Sequence, residues 1–154
     1  MADPAVETSP IVRSVEVRAT PERLFSLLVE PAALVQWWPD VADLEPRLGG
    51  RIRMEFRGGD SVVTGEVTRF EPPHGLGFTW LRAESPGVVT QVDFTVTALG
   101  EGRSRVEVVH AGWEQTPDLR PLHDAGWAHF LRCLGDLAEG RPVDKTFQPP
   151  KEEA

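Results

Sequence analysis

Apolar residues recur with a helical period near both ends of this chain and with a period of two through its middle, which predicts a sheet flanked by helices. The opening stretch "IVRSVEVRA" alternates, placing Val15 and Val17 on one face of a first strand. "TPERLFSLLVEP" then changes period: Leu24, Phe25 and Leu28 form a stripe, Thr20 is the N-cap, Pro21 takes the first helical position and Pro31 is the stop. "PAALVQWWP" predicts a second short helix, ended before Pro39 because a residue preceding proline avoids the helical region.

The period of two starts at Val41. "VADLEPRL" is a weak strand, and Gly49-Gly50 turns the chain into "RIRMEFR", where Ile52, Met54 and Phe56 share a face. "SVVTGEVTRF" follows, and after "EPPHG" Leu76, Phe78 and Trp80 align. Two further strands carry the inward sets Val92, Phe94, Val96 and Val106, Val108, His110. Strands in succession with short turns predict an antiparallel meander with one solvated face. The longest helix runs from about Pro117 to Glu139, starting at either Pro117 or Pro121, with Leu122, Gly126, Trp127, Phe130, Leu134 and Leu137 on one face. Gly140 and Pro142 end it. Gly126 costs about 1 kcal/mol relative to Ala in mid-helix, so the helix backbone is expected to lie close to the sheet there.

Composition narrows the function classes. A chain of 154 residues with 40% hydrophobic and 26% charged residues fits one soluble domain with a real core. A net charge of -8 disfavours nucleic acid and anionic membrane as partners. The single Cys133 permits no internal disulfide and no Cys-based structural zinc site. No secretory signal and no run of about 20 apolar residues is present, so a cytoplasmic location without membrane insertion is expected. The arginine-heavy, proline-rich composition hints at a bacterial source.

In this order, "ATPERLFSLLVEPAALVQWWPD", "LGGRIRMEF", "GEVTRFEPPHGLGFTW", "VEVVHAGW" and "HDAGWAHFLRCLGDL" resemble the Hsp90-ATPase-activator-homologue-like branch of the START/Bet v 1-like (SRPBCC) superfamily. The resemblance spans about Ile11 to Arg141. It implies an α+β helix-grip fold: a curved antiparallel sheet wrapped around a long C-terminal helix, with two short helices after the first strand. Residues 1–10 are then an N-terminal arm, 11–141 a single domain and 142–154 a flexible tail. Members of that superfamily enclose a deep apolar cavity that holds lipids, hormones, polyketides or other hydrophobic molecules.

Period and resemblance together select the cavity candidates. Trp37 and Trp38 stand about 100° apart on a helix, so one should pack under the sheet edge while Trp38 borders the cavity mouth. Phe56, Phe78, Trp80 and Phe94 face inward from the strands, and Trp127 and Phe130 from the long helix. Trp113, between the last strand and that helix, is a gate or a cover for the core. His110 points inward near a strand end, where it could orient a ligand or act as an acid or base. His123 could meet it from the helix, whereas His129 and His74 look exposed. His110, His123 and Asp124 diverge too much for a metal site, and no nucleophile elbow, phosphate loop or dinucleotide fingerprint implies a cofactor. Glu55, Glu66, Asp93 and Glu107 are expected on the outer face. The expected function is binding of a small hydrophobic or aromatic ligand, as carrier or sensor. The alternatives are a polyketide cyclase or hydratase using His110 and, on family naming alone, a chaperone activator. An exposed Trp37 could support a homodimer.

Overall fold

The computed structural model describes residues 7–147. In chain order they form β1 (Ile11–Val17), α1 (Pro21–Val29), α2 (Pro31–Trp37), β2 (Val41–Leu44), β3 (Arg51–Phe56), β4 (Ser61–Glu71), β5 (Gly75–Arg82), β6 (Val89–Gly100), β7 (Arg103–Ala111) and α3 (Arg120–Ala138). All strands join one curved antiparallel sheet in the order β1-β7-β6-β5-β4-β3-β2. Strands β2 to β7 are a meander, and β1 returns to pair with β7. This is the helix-grip architecture expected from the sequence. None of the described helices is long and apolar enough to cross a membrane.

The alternation sets the face that each strand buries. Phe94 pairs with Val108 and Phe78 with Val92, so the expected inward sets converge on one buried layer. Glu66 is exposed and Asp93 half-buried on the opposite face, where Asp93 meets Gln91. Thr20 caps α1 by accepting from the Arg23 N–H at 3.2 Å. Of the two starts expected for the last helix, the structure has the later one to within a residue: Pro117–Leu119 is a separate 3-10 turn, and α3 starts at Arg120. Pro121 then falls in the first turn of α3, where a missing N–H breaks no helical bond. Strand β2 ends at Leu44, because Glu45 turns back to accept the Arg51 N–H at 2.8 Å.

The close approach of α3 to the sheet was expected at Gly126 and occurs at Gly135. A Cβ on Gly135 would stand 3.3 Å from Val17 on β1, whereas one on Gly126 would meet only the Phe147 ring, at 3.9 Å. The helix therefore presses on β1 at one side of the sheet. Trp37, offered as a dimer contact, is instead fully buried, with its Nε1–H donated to the Leu27 carbonyl at 2.9 Å.

The N-terminal and C-terminal segments are partly docked. Arg120 donates to the carbonyls of Ser9 and Pro10, which fixes the entry to β1. Residues 142–147 were expected to belong to a flexible tail. Lys145 instead donates to the carbonyls of Val35 (2.6 Å) and Pro39 (3.0 Å), at the end of α2. An ammonium there satisfies carbonyls that the ending helix leaves open. The expectations for residues 1–6 and 148–154 lie outside the described residues.

These two glycines separate by substitution. Gly126→Ala should stabilise the fold by up to about 1 kcal/mol through helix propensity. Gly135→Leu should destabilise it by about 1–3 kcal/mol through overpacking against Val17. Urea denaturation midpoints measure both, and equal effects at the two positions would contradict this placement of α3.

Candidate functional site

Because α3 leans on β1, it stands off from the β3–β5 side of the sheet. A cavity of about 870 Å³ opens there. Its inner wall is apolar and aromatic, built from Trp38 at the end of α2, Phe56 on β3, Trp80 on β5, and Trp127 and Phe130 on α3. Gly126 adds a side-chain-free stretch of helix wall. Val143 and Phe147 close the far side, with Phe147 stacked on His129 at 5.4 Å between ring centroids.

Trp38 reaches this wall by leaving the helix. At φ -133° and ψ -92° it caps α2, and its ring stacks on Trp37 at 5.2 Å instead of diverging by a helical step. Its nearest other ring neighbours are Trp80 at 5.5 Å, nearly parallel, and Trp127 at 4.9 Å. Such contacts exclude water and hold the wall rigid. Of the expected cavity residues, Trp38, Phe56, Trp80, His123, Trp127 and Phe130 line the space. Phe78, Phe94, His110 and Trp113 are buried behind them, none more than 1% exposed.

His110 is sealed by its hydrogen bonds. An indole N–H can only donate, so the Trp127 Nε1–H, 3.0 Å from His110 Nδ1, requires a lone pair on that nitrogen. A neutral ring then carries its proton on Nε2, which donates to Thr90 Oγ1 at 2.7 Å. The Thr90 hydroxyl faces the Trp80 carbonyl at 3.4 Å. Burial, with His123 adding to it, holds His110 well below the ordinary imidazole value, and Trp113 covers it by donating to its carbonyl at 2.8 Å. Both ring nitrogens are thus committed to the protein.

His123 differs. Its Nδ1 lies 2.9 Å from the Leu119 carbonyl, which can only accept, so Nδ1 carries the proton. Burial pushes its pKa down to about 4, which leaves a neutral ring with an Nε2 lone pair at the cavity wall. His129 proves half-buried under Phe147, whereas His74 is exposed. Among the described residues no three His, Cys, Asp or Glu side chains are grouped to hold a metal ion.

A polar rim escaped the sequence reading. Arg57, Arg82, Arg141 and Lys145 line the cavity, and Asp40 lies 3.7 Å from the Lys145 ammonium. Arg82 and Ser61 were legible: extending the alternation by one step puts Arg82 in phase with Trp80 and Ser61 in phase with Val63. Arg57, in a turn at φ +51°, and the two cations after α3 carry no periodic signal. Arg82 pairs with Glu84 at 2.8 Å, Arg141 with Asp136 at 2.9 Å, and Arg57 has no ion pair among the described residues.

The family model described as "Activator of Hsp90 ATPase homolog 1-like protein" matches residues 18–139. No curated protein matches the sequence. Among solved structures, the Aha1 dimer from Colwellia psychrerythraea is 24% identical over 84% of this chain and 96% of its own, with a TM-score of 0.73. DynU16, a protein in the dynemicin biosynthetic locus, is 23% identical over 89% of this chain but only 50% of its own, with a TM-score of 0.76. PFC0360w, an HSP90 activator from Plasmodium falciparum, is 17% identical over 88% of this chain and 99% of its own, with a TM-score of 0.70. At these identities the likeness is one of fold.

The two buried imidazoles make stability depend on pH. Both protonate less readily folded than unfolded, where the ordinary value is 6.5. As pH falls below that value the unfolded chain takes up protons first, so stability present above it is lost on the way down towards about 4. Between pH 7.5 and 5.0 His123 should cost about 2 kcal/mol, and His110 acts in the same direction. Urea midpoints across that range should fall, and less steeply in His123→Leu; a flat profile would contradict neutral burial.

Proposed function

The chain belongs to the activator of Hsp90 ATPase homolog 1-like family of the SRPBCC superfamily, and on that premise we propose that it binds a small hydrophobic or aromatic molecule between α3 and β3–β5, as a carrier or sensor. The observation that carries this reading is the aromatic-walled cavity of about 870 Å³. That volume lies within the span of about 300–1,000 Å³ typical of small-molecule sites, which are mostly apolar with a few directed polar groups. Trp38, Trp80 and Trp127 supply the apolar wall, and the cationic rim supplies polar contacts near the opening.

The sealed state of His110 supports binding over acid-base catalysis, since a general base must reach the proton it takes. The neighbour from a biosynthetic locus agrees with a small-molecule role, and the Plasmodium protein with a chaperone role, each by fold alone. A cavity of this kind is what a ligand needs and what a surface contact with a chaperone does not require. Self-association, as in the Colwellia dimer, is compatible with this reading, because one protomer supplies the whole lining.

A thermal-shift panel of polycyclic aromatics and long-chain apolar molecules, read together with quenching of tryptophan fluorescence, should give at least one saturable ligand. Gly126→Phe, which projects a ring into the cavity, should weaken that ligand by about tenfold or more while circular dichroism stays unchanged. A panel without a hit, or a hit indifferent to Gly126→Phe, would overturn the proposal.

A further inference from the structure

The chain past α3 changes character at Pro142. Up to Arg141 it is tied to the helix: the Arg141 N–H donates to the Asp136 carbonyl at 2.8 Å, and its guanidinium to the Asp136 carboxylate at 2.9 Å. From Pro142 to Phe147 the chain forms a strap without strand or helix, and none of its backbone groups bonds another backbone group among the described residues. Three contacts hold it down. The Lys145 ammonium donates to the carbonyls of Val35 and Pro39 and stands 3.7 Å from the Asp40 carboxylate. The Asp144 carbonyl accepts from the Cys133 thiol at 3.3 Å. The Phe147 ring lies against His129 and Phe130, at 5.4 and 5.6 Å between centroids.

A segment with so few attachments opens at a small fraction of the free energy that unfolds a core. What it covers gives that opening a consequence. Val143, Lys145, Thr146 and Phe147 all line the cavity. Lys145 rests on the end of α2, while Asp144 and Phe147 rest on α3, so the strap bridges the two helices over the hollow between them. The Lys145 side chain is 29% exposed, so water can take the place of its carbonyl partners when the strap lifts.

Resting on the binding role above, we propose that Pro142–Phe147 is a lid, hinged after Arg141 and latched by Lys145 on the end of α2, which lifts to admit and release the ligand between α2 and α3 and settles over it. Its movement breaks no strand pairing and no helical turn, as suits a closing segment. Cys133 lies beneath it as a reporter. The thiol is buried with the lid down, and burial raises its pKa above the ordinary value, so it resists alkylation until Asp144 leaves.

The test follows alkylation of this single cysteine by iodoacetamide in the full chain. Lifting the lid exposes little surface, so the rate should stay nearly flat in urea well below the unfolding midpoint, whereas exposure through global unfolding climbs with the full urea dependence. Lys145→Met should raise the flat rate by about tenfold, and Phe147→Ala should raise it as well. Should one variant fail to fold, the other and the unmodified chain decide. Uptake and release of N-phenyl-1-naphthylamine, an uncharged dye that brightens in apolar surroundings, are then timed by stopped-flow fluorescence. Both should quicken by about tenfold in Lys145→Met, because both pass through the lifted state. A panel ligand replaces the dye where only the former binds. Alkylation that tracks global unfolding, dye kinetics indifferent to Lys145→Met, or a change in release alone, which would mark Lys145 as a mere wall contact, overturns the lid and leaves the cavity function standing. A chain that takes up neither the dye nor any member of the apolar panel removes both.

Discussion

The structure turns on the hydrogen bond between the Trp127 indole and the inner nitrogen of His110. It joins α3 to β7, and through Thr90 the same chain of donors and acceptors touches β6 and β5. Since an indole cannot accept and a carbonyl cannot donate, each proton in this chain has one place to be. Buried polar groups satisfied in this way specify an arrangement, because any slip would leave several of them unpaired in a dry interior. With Gly135 against Val17 and Trp127 against His110, the line of α3 is fixed at two points. The hollow over β3–β5 is what remains beside that line.

The site divides by chemistry as well as by location. Behind the wall, His110, Thr90 and Trp113 are mutually satisfied and belong to the scaffold. On the wall, Trp80 and His123 keep unspent hydrogen-bonding capacity, and at the rim arginines stand on a chain whose net charge is -8. Burial alone does not separate these groups. His110 is the most deeply buried histidine and the least available, while His123, sharing its neighbourhood at 5.4 Å, retains an accessible acceptor.

Much of this was legible in the chain itself. The period of two gave the inward layer from Ile52 to His110, because a sheet with one buried face leaves no freedom in register. The caps and prolines placed α1 and α2. The errors share a cause, in that they concern distances between elements. Gly126 and Gly135 look alike in a helical pattern, and only the tilt of α3 decides which one meets β1. Trp37 and Trp38 obey a helical angle only while the helix continues, and Trp38 is already its cap. The partition of ten aromatic and histidine candidates into wall and backing likewise follows from the standoff of α3, which no periodicity encodes. Residues 142–147 lack a periodic signal altogether, since Lys145 binds as a charge and Phe147 as a lone ring.

That short strap also has an evolutionary reading. The stretch from Pro142 to Phe147 lies past the residues 18–139 that define family membership, yet it furnishes part of the cavity's outer lip. It forms no strand or helix of its own, and of its side chains Lys145 is the one that binds the end of α2. Changes in those six residues would reshape the lip of the hollow while leaving Gly135 against Val17 and Trp127 against His110 as they are.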